Sequence, residues 1–245
     1  RVIYGYQDGR HGLLTETDEG VREVQVRGKE AFFLVRREGK DDSIERMSVP
    51  SESAQRALVF KVSEGRPISA FAAGRDRIMI VLYDLGTSKV LTVGPDGDAN
   101  RHVSELDSLF VDHLRLDAAG SRFSFRVQSP SAKPTVGSLV GGRLASPLAN
   151  GNVSVRTDAA SEVIHDEATS ADGVLVPFYY TKPTAEKSEY RTLWISVYAA
   201  YGNISPATYN ASWALWEKYG IVTATCLARG GGERGESWHQ AGRRQ

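Results

Sequence analysis

The sequence is 245 residues long, 41% hydrophobic, and carries 30 basic against 30 acidic side chains. That supplies the core of one large or two modest domains, and the balanced charge gives the molecule no overall pull toward nucleic acid or anionic lipid. One cysteine excludes an internal disulfide, and no apolar run approaches the roughly 20 residues that span a bilayer.

Up to about residue 150, apolar residues come in short bursts between turn residues. EAFFLVRR (30–37), RALVFKV (56–62), RIMIVLYD (77–84), KVLTV (89–93) and SRFSFRVQ (121–128) are rich in β-branched and aromatic residues and read as strands. In the last of these Phe123, Phe125 and Val127 alternate with Arg122, Ser124 and Arg126, which puts one apolar and one polar face on one strand. DLGTSK (84–89) and DAAGSR (117–122) place Asp and Gly where tight turns need them. Nothing in this half asks for a helix. The spacing fits a sandwich, barrel or propeller; as a propeller, at roughly 40 to 50 residues per blade, it makes about three blades, too few to close a ring.

After about residue 151 the rhythm changes. VLVPFYY (174–180) follows the turn SADG (170–173) and reads as a strand; TLWISVY (192–198) reads as a strand of the kind a buried parallel sheet requires. In YNASWALWEKYG (209–220), Trp213, Leu215, Trp216 and Tyr219 recur at helical spacing, with Pro206 upstream and Gly220 placed to end the helix. IVTATCL (221–227) follows as a further strand. Strand, helix, strand with short links predicts a βαβ unit with parallel strands, hence an α/β half after the all-β one. Cys226 lies inside this last apolar run and reads as a buried, inert thiol. A reducing compartment such as the cytoplasm suits it, and the periplasm stays open; the chain opens on Arg, so the lack of a leader-like segment there carries little weight.

RGGGERGE (229–236) follows that strand. It matches neither a P-loop nor a dinucleotide fingerprint, so the expected role of Arg229, Gly230, Gly231, Gly232 and Glu233 is architectural: glycines that permit close packing, with Arg229 and Glu233 fastening the turn by pairing with neighbours. An anion held by the loop's amides is the competing reading. His11, His102, His113, His165 and His239 show no metal-ligand spacing, and no G-x-S-x-G nucleophile elbow occurs, so no metal and no triad is assigned.

TSADGVLVPFYYTKP (169–183), VYAAYGNISPATYN (197–210) and LARGGGERGESWHQAG (227–242), in this order and at these spacings, resemble the prolyl oligopeptidase family of serine peptidases. The resemblance is specific over 169–245 and compatible with the β-rich first half. It implies a β-propeller capping an α/β-hydrolase domain, with residues 1–150 as the propeller's last blades and 151–245 as the start of the hydrolase domain. It also implies that Tyr198 donates its hydroxyl to the oxyanion of the tetrahedral intermediate, and that Tyr201 lines the proline-accepting pocket. Ala199 stands where the family often has glycine.

The resemblance further places the nucleophilic Ser, the Asp and the His after the glycine loop, beyond residue 245. These 245 residues alone are therefore expected to show no peptidase turnover and to leave an apolar sheet edge in water. It implies short peptides as substrates, the remaining C-terminal hydrolase segment as a partner, no nucleic acid or membrane, and no cofactor. Cleavage after proline is preferred over cleavage after basic residues, because GESWHQAG is similar to the proline-specific branch. The alternative from another class is a non-catalytic, propeller-containing interaction module.

Overall fold

The computed structural model describes residues 2–7, 10–16, 20–37, 40–49, 56–63, 65–107, 109–130, 132–145, 161–183 and 192–243. A first hairpin, β1 (Val2–Gln7) and β2 (Arg10–Glu16), is followed by three four-stranded antiparallel sheets. The first contains β3 (Val21–Arg27), β4 (Glu30–Val35), β5 (Ser43–Ser48) and β6 (Ala57–Lys61). The second contains β7 (Ile68–Ala73), β8 (Ile78–Asp84), β9 (Thr87–Val93) and β10 (Arg101–His102). The third contains β11 (Phe110–Leu116), β12 (Arg122–Gln128), β13 (Thr135–Val140) and β14 (Arg143–Ala145). Within each sheet every strand pairs with its neighbour in sequence, and among the described residues up to 145 the only helical element is one 3-10 turn at Ser104–Leu106.

The three sheets hold together through the middle one. Successive side chains of a strand point to opposite faces. On β8, Ile78, Ile80 and Leu82 therefore enter a core shared with Phe32, Leu34 and Ile44 of the first sheet. Met79 and Val81 enter a second core with Phe123, Phe125, Val127 and Leu139 of the third. Both faces of β8 are buried, which is why IMIVLYD (78–84) carries no polar residue until its end. On β12 the expected alternation is present: Phe123, Phe125 and Val127 are buried, while Arg126 lies on the other face and forms a two-pronged ion pair with Asp112 at 2.7 and 2.6 Å.

The turns follow their residues. Asp84 pairs with Thr87, leaving a two-residue loop in which Leu85 (φ 49°) and Gly86 (φ 106°) are both left-handed, the twist that suits a tight hairpin. In DAAGSR, Asp117 accepts the amides of Ser121 and Arg122, which hold its carboxyl below the usual range.

The last sheet has the order β15-β16-β18-β17, built from β15 (Ser161–Thr169), β16 (Leu175–Pro183), β17 (Thr192–Val197) and β18 (Ile221–Cys226). Helix α1 (Ala211–Lys218) lies between β17 and β18 in sequence, and a short helix, α2 (Glu236–Gln240), follows the glycine loop. β17 and β18 are parallel over six register pairs, as the βαβ pattern requires. The expected domain boundary near residues 150 and 151 lies outside the described residues.

Three expectations are corrected here. β15 is a strand that the pattern did not announce, and with β16 antiparallel to β18 the sheet is mixed instead of parallel. β17 is not buried: Leu193, Trp194, Ile195 and Val197 are more than half exposed, because β17 is an edge strand among the described residues and α1 meets it chiefly through Trp216 against Trp194, 5.2 Å between ring centroids. The apolar side of α1 is only partly used, with Trp213 packed near Tyr179 and Leu227 while Leu215 and Tyr219 stay exposed. Asn210 caps this helix through its side-chain oxygen, which accepts the Ser212 amide at 2.9 Å, and Gly220 (φ 74°) ends it.

Candidate functional site

Two parallel hydrogen-bonded strands finish at the same edge of their sheet. The chain leaving β17 at Tyr198 and the chain leaving β18 toward Arg229 therefore emerge side by side. The carboxyl ends of parallel strands are where α/β sheets gather ligands. Tyr198 stands one residue past β17 and is 59% exposed; Tyr201 is 83% exposed.

The backbone between them is left-handed at Ala199 (φ 47°), Tyr201 (φ 59°) and Gly202 (φ 66°). For a residue with a Cβ this conformation costs roughly 1–2 kcal/mol. Such positions persist only where the surroundings determine them. The determining surroundings are the glycine loop. Gly202 donates to the Gly230 carbonyl at 3.0 Å, and Gly232 donates to the Asn203 carbonyl at 2.9 Å. A Cβ on Gly230 would lie 2.4 Å from the Ala199 carbonyl oxygen, and one on Gly232 would lie 2.1 Å from that of Gly202. The loop is thus a backbone mould for the tyrosine turn, with no room for side chains on the touching face.

From the other side α2 closes the loop: Gly230 donates to the Trp238 carbonyl at 3.0 Å, and the Trp238 indole donates to Leu227 at 3.0 Å. Arg229 pairs with Asp172 of the SADG turn, and Asp172, with the Ser170 hydroxyl and Arg229 both bonded to it, is held far below the ordinary carboxylate range. Arg234 pairs with Glu167 on β15. Glu233 is held differently from Arg229. It is 2% exposed and has no ion-pair partner among the described residues; one carboxyl oxygen accepts the Ser205 amide at 3.1 Å, and the other is buried without a partner.

The segment just after the turn is gripped from both halves of the molecule. Tyr83, at the end of β8, donates its hydroxyl to the Ser205 carbonyl at 2.9 Å, and Tyr179 on β16 donates to Pro206 at 3.1 Å. The Ala207 amide donates to Gly86 at 2.8 Å. Gly86 must be glycine here, since a Cβ would fall 2.7 Å from the Tyr179 ring. Burial raises both phenols, Tyr179 to about 12, so each stays a donor at any ordinary pH. Sequence reasoning missed Tyr83, Tyr179 and Ser205. The one available signal was a tyrosine closing an otherwise aliphatic buried strand, where a polar tip must find a partner. Cys226 is half-buried, not fully so, and burial raises its thiol.

In chemical terms, the arrangement presents an exposed phenol donor and an exposed aromatic face on a rigidly backed turn. No family model matches the chain. A prolyl endopeptidase-like protein of Xenopus laevis is 26% identical over 224 residues, which cover 86% of this chain and 31% of that protein. The prolyl endopeptidase-like protein of Homo sapiens is 37% identical over 84 residues, 34% of this chain and 12% of that one. Among solved structures, one from a study of two prolyl endopeptidases superposes with a TM-score of 0.79 at 18% identity, covering 99% of this chain and 36% of its own. A post-proline cleaving enzyme from Rickettsia typhi superposes with a TM-score of 0.70 at 17% identity, covering 98% and 37%. At these identities the structural likeness speaks for the fold. The chain spans 31% of the length of the Xenopus relative. The sequence relatives and the fold point the same way: the chain is similar in sequence to prolyl endopeptidase-like proteins and in fold to prolyl oligopeptidases.

Proposed function

We propose that this chain is the junction between the last blades of a β-propeller (1–150) and the opening of an α/β-hydrolase domain (151–245) in a serine peptidase that cleaves short peptides after proline. The three face-packed antiparallel sheets support the first part, and the parallel β17–β18 pair supports the second. The observation that carries the functional reading is the exposed Tyr198 hydroxyl at the end of β17, on a left-handed turn backed by the glycine loop.

In the proposed reaction a serine attacks the peptide carbonyl and negative charge grows on its oxygen; the Tyr198 O–H, oriented before reaction, donates to it. A preoriented donor of this kind is worth about 3–4 kcal/mol. Tyr201 offers a flat apolar face suited to a pyrrolidine ring. The glycine loop serves as scaffold, and the nucleophile comes from outside these 245 residues. The test is kinetic. In a longer protein carrying this chain and the nucleophile, Tyr198→Phe lowers kcat on a succinyl-Gly-Pro coumarin reporter about 100- to 1000-fold with KM little changed. Unchanged kcat, or equal turnover of an Arg reporter, would count against the reading, as would reporter cleavage by the 245-residue chain alone.

A further inference from the structure

Glu233 is the one described carboxylate that is both almost fully buried and left with an unpartnered oxygen. Its free oxygen lies against Gly231, where a Cβ would come within 2.0 Å of it, so the carboxyl folds back over the loop that backs the tyrosine turn. Its other oxygen takes the Ser205 amide, while the Ser205 carbonyl takes Tyr83 from the second sheet. Ser205 is therefore held at both backbone groups, two residues after the turn's last bond to the loop, at Asn203.

We infer that Glu233 is a positioning residue that holds Ser205, and through it the 198–203 turn, while its carboxyl is neutral, and that loosens this segment when the carboxyl ionises. An ionised carboxylate with one unpaired oxygen in a dry site is costly, whereas the neutral acid can still accept the Ser205 amide. The titratable groups that bear on it are Tyr83 of β8, Tyr179 of β16 and Cys226 of β18. All three are themselves raised, and ionising any of them would only add negative charge beside Glu233. Burial pushes the Glu233 carboxyl above its ordinary range, opposed by the amides and hydroxyl that favour its charged form. A raised acid binds its proton more tightly in the folded state than in the unfolded one. Its contribution is full below the ordinary carboxyl range and is lost as pH rises through its folded value.

This inference rests on the proposed peptidase reading only for its catalytic consequence, so the test reads the backbone. Amide hydrogen exchange of residues 202–207 is measured in the full chain between pH 4 and 8, corrected for intrinsic rates. In the wild type, protection is expected to fall by up to about tenfold per pH unit between the ordinary carboxyl range and the raised folded value and to level off above it, while strands β8 and β12 hold steady. Glu233→Gln keeps the acceptor without the charge, and its protection stays flat across the range. Glu233→Ala orphans the Ser205 amide and lowers protection at every pH. Identical pH profiles in wild type and Glu233→Gln overturn the inference, as does a loss of protection shared equally by β8 and β12. Loss of reporter turnover in Tyr198→Phe addresses the peptidase reading separately.

Discussion

Gly232 and Gly173 separate two reasons for using glycine. Gly173 is left-handed (φ 82°) but has open space where a Cβ would go, so Gly173→Ala is expected to cost only the conformational penalty, about 1–2 kcal/mol. Gly232 needs no left-handed backbone; what it lacks is room, with a carbonyl oxygen 2.1 Å from the Cβ position. Backbone cannot swing aside as a long side chain can, so Gly232→Ala is expected to cost about 3 kcal/mol or more and to loosen the Tyr198 turn as well. Urea midpoints of the two variants order the effects, and a milder loss at Gly232 than at Gly173 would refute the mould. That the loop needs glycine for close packing was readable from RGGGERGE. What it packs against was not, because Gly202 and Gly230 meet only once β17 and β18 have paired. The sequence offered Glu233 as a residue that fastens the turn by pairing with neighbours; that its neighbour is the Ser205 amide and that the carboxyl is buried follow only once the fold closes over it.

At the scale of elements, burial on both faces is the quantity that sorts the strands. Ile80 on β8 is fully buried in the core between the first two sheets, and Ile80→Ala is expected to cost about 2–5 kcal/mol. Val136 on β13 is half-exposed, and Val136→Ala should stay within about 1 kcal/mol. Chemical denaturation of the pair checks this, and equal costs would mean the second sheet is not the buried middle layer. The same quantity explains which strands the sequence disclosed. RIMIVLYD and SRFSFRVQ are buried on two faces and on one face respectively, and their side chains say so. SEVIHDEAT has no such pattern, since most of β15's described side chains face solvent; it is a strand because nine register pairs tie it to β16, information held in the partner. TLWISVY disclosed a strand correctly and its burial wrongly, because apolar content records what a strand is suited to bury and not what lies beside it.

For the whole molecule, that last mismatch has a consequence. Among the described residues β17 is bonded on one side only, to β18, and it carries Leu193, Ile195 and Val197 on one face and Trp194 on the other, all more than half exposed. An unpaired edge combined with a contiguous apolar face is the combination that soluble sheets avoid, because water satisfies the edge but not the face. The 245-residue chain is therefore expected to self-associate with rising concentration in sedimentation velocity runs. Replacing Leu193 and Ile195 together with lysine should weaken association about tenfold or more while leaving the three antiparallel sheets folded. Val136→Lys is the control, since its parent side chain is comparably exposed but lies in the third sheet, away from this face. If all three proteins associated alike, the driving surface would lie elsewhere. If the unaltered chain stayed a monomer at every concentration, the exposed face of β17 would not exist in solution, and the open setting of Tyr198 at its end would fall with it.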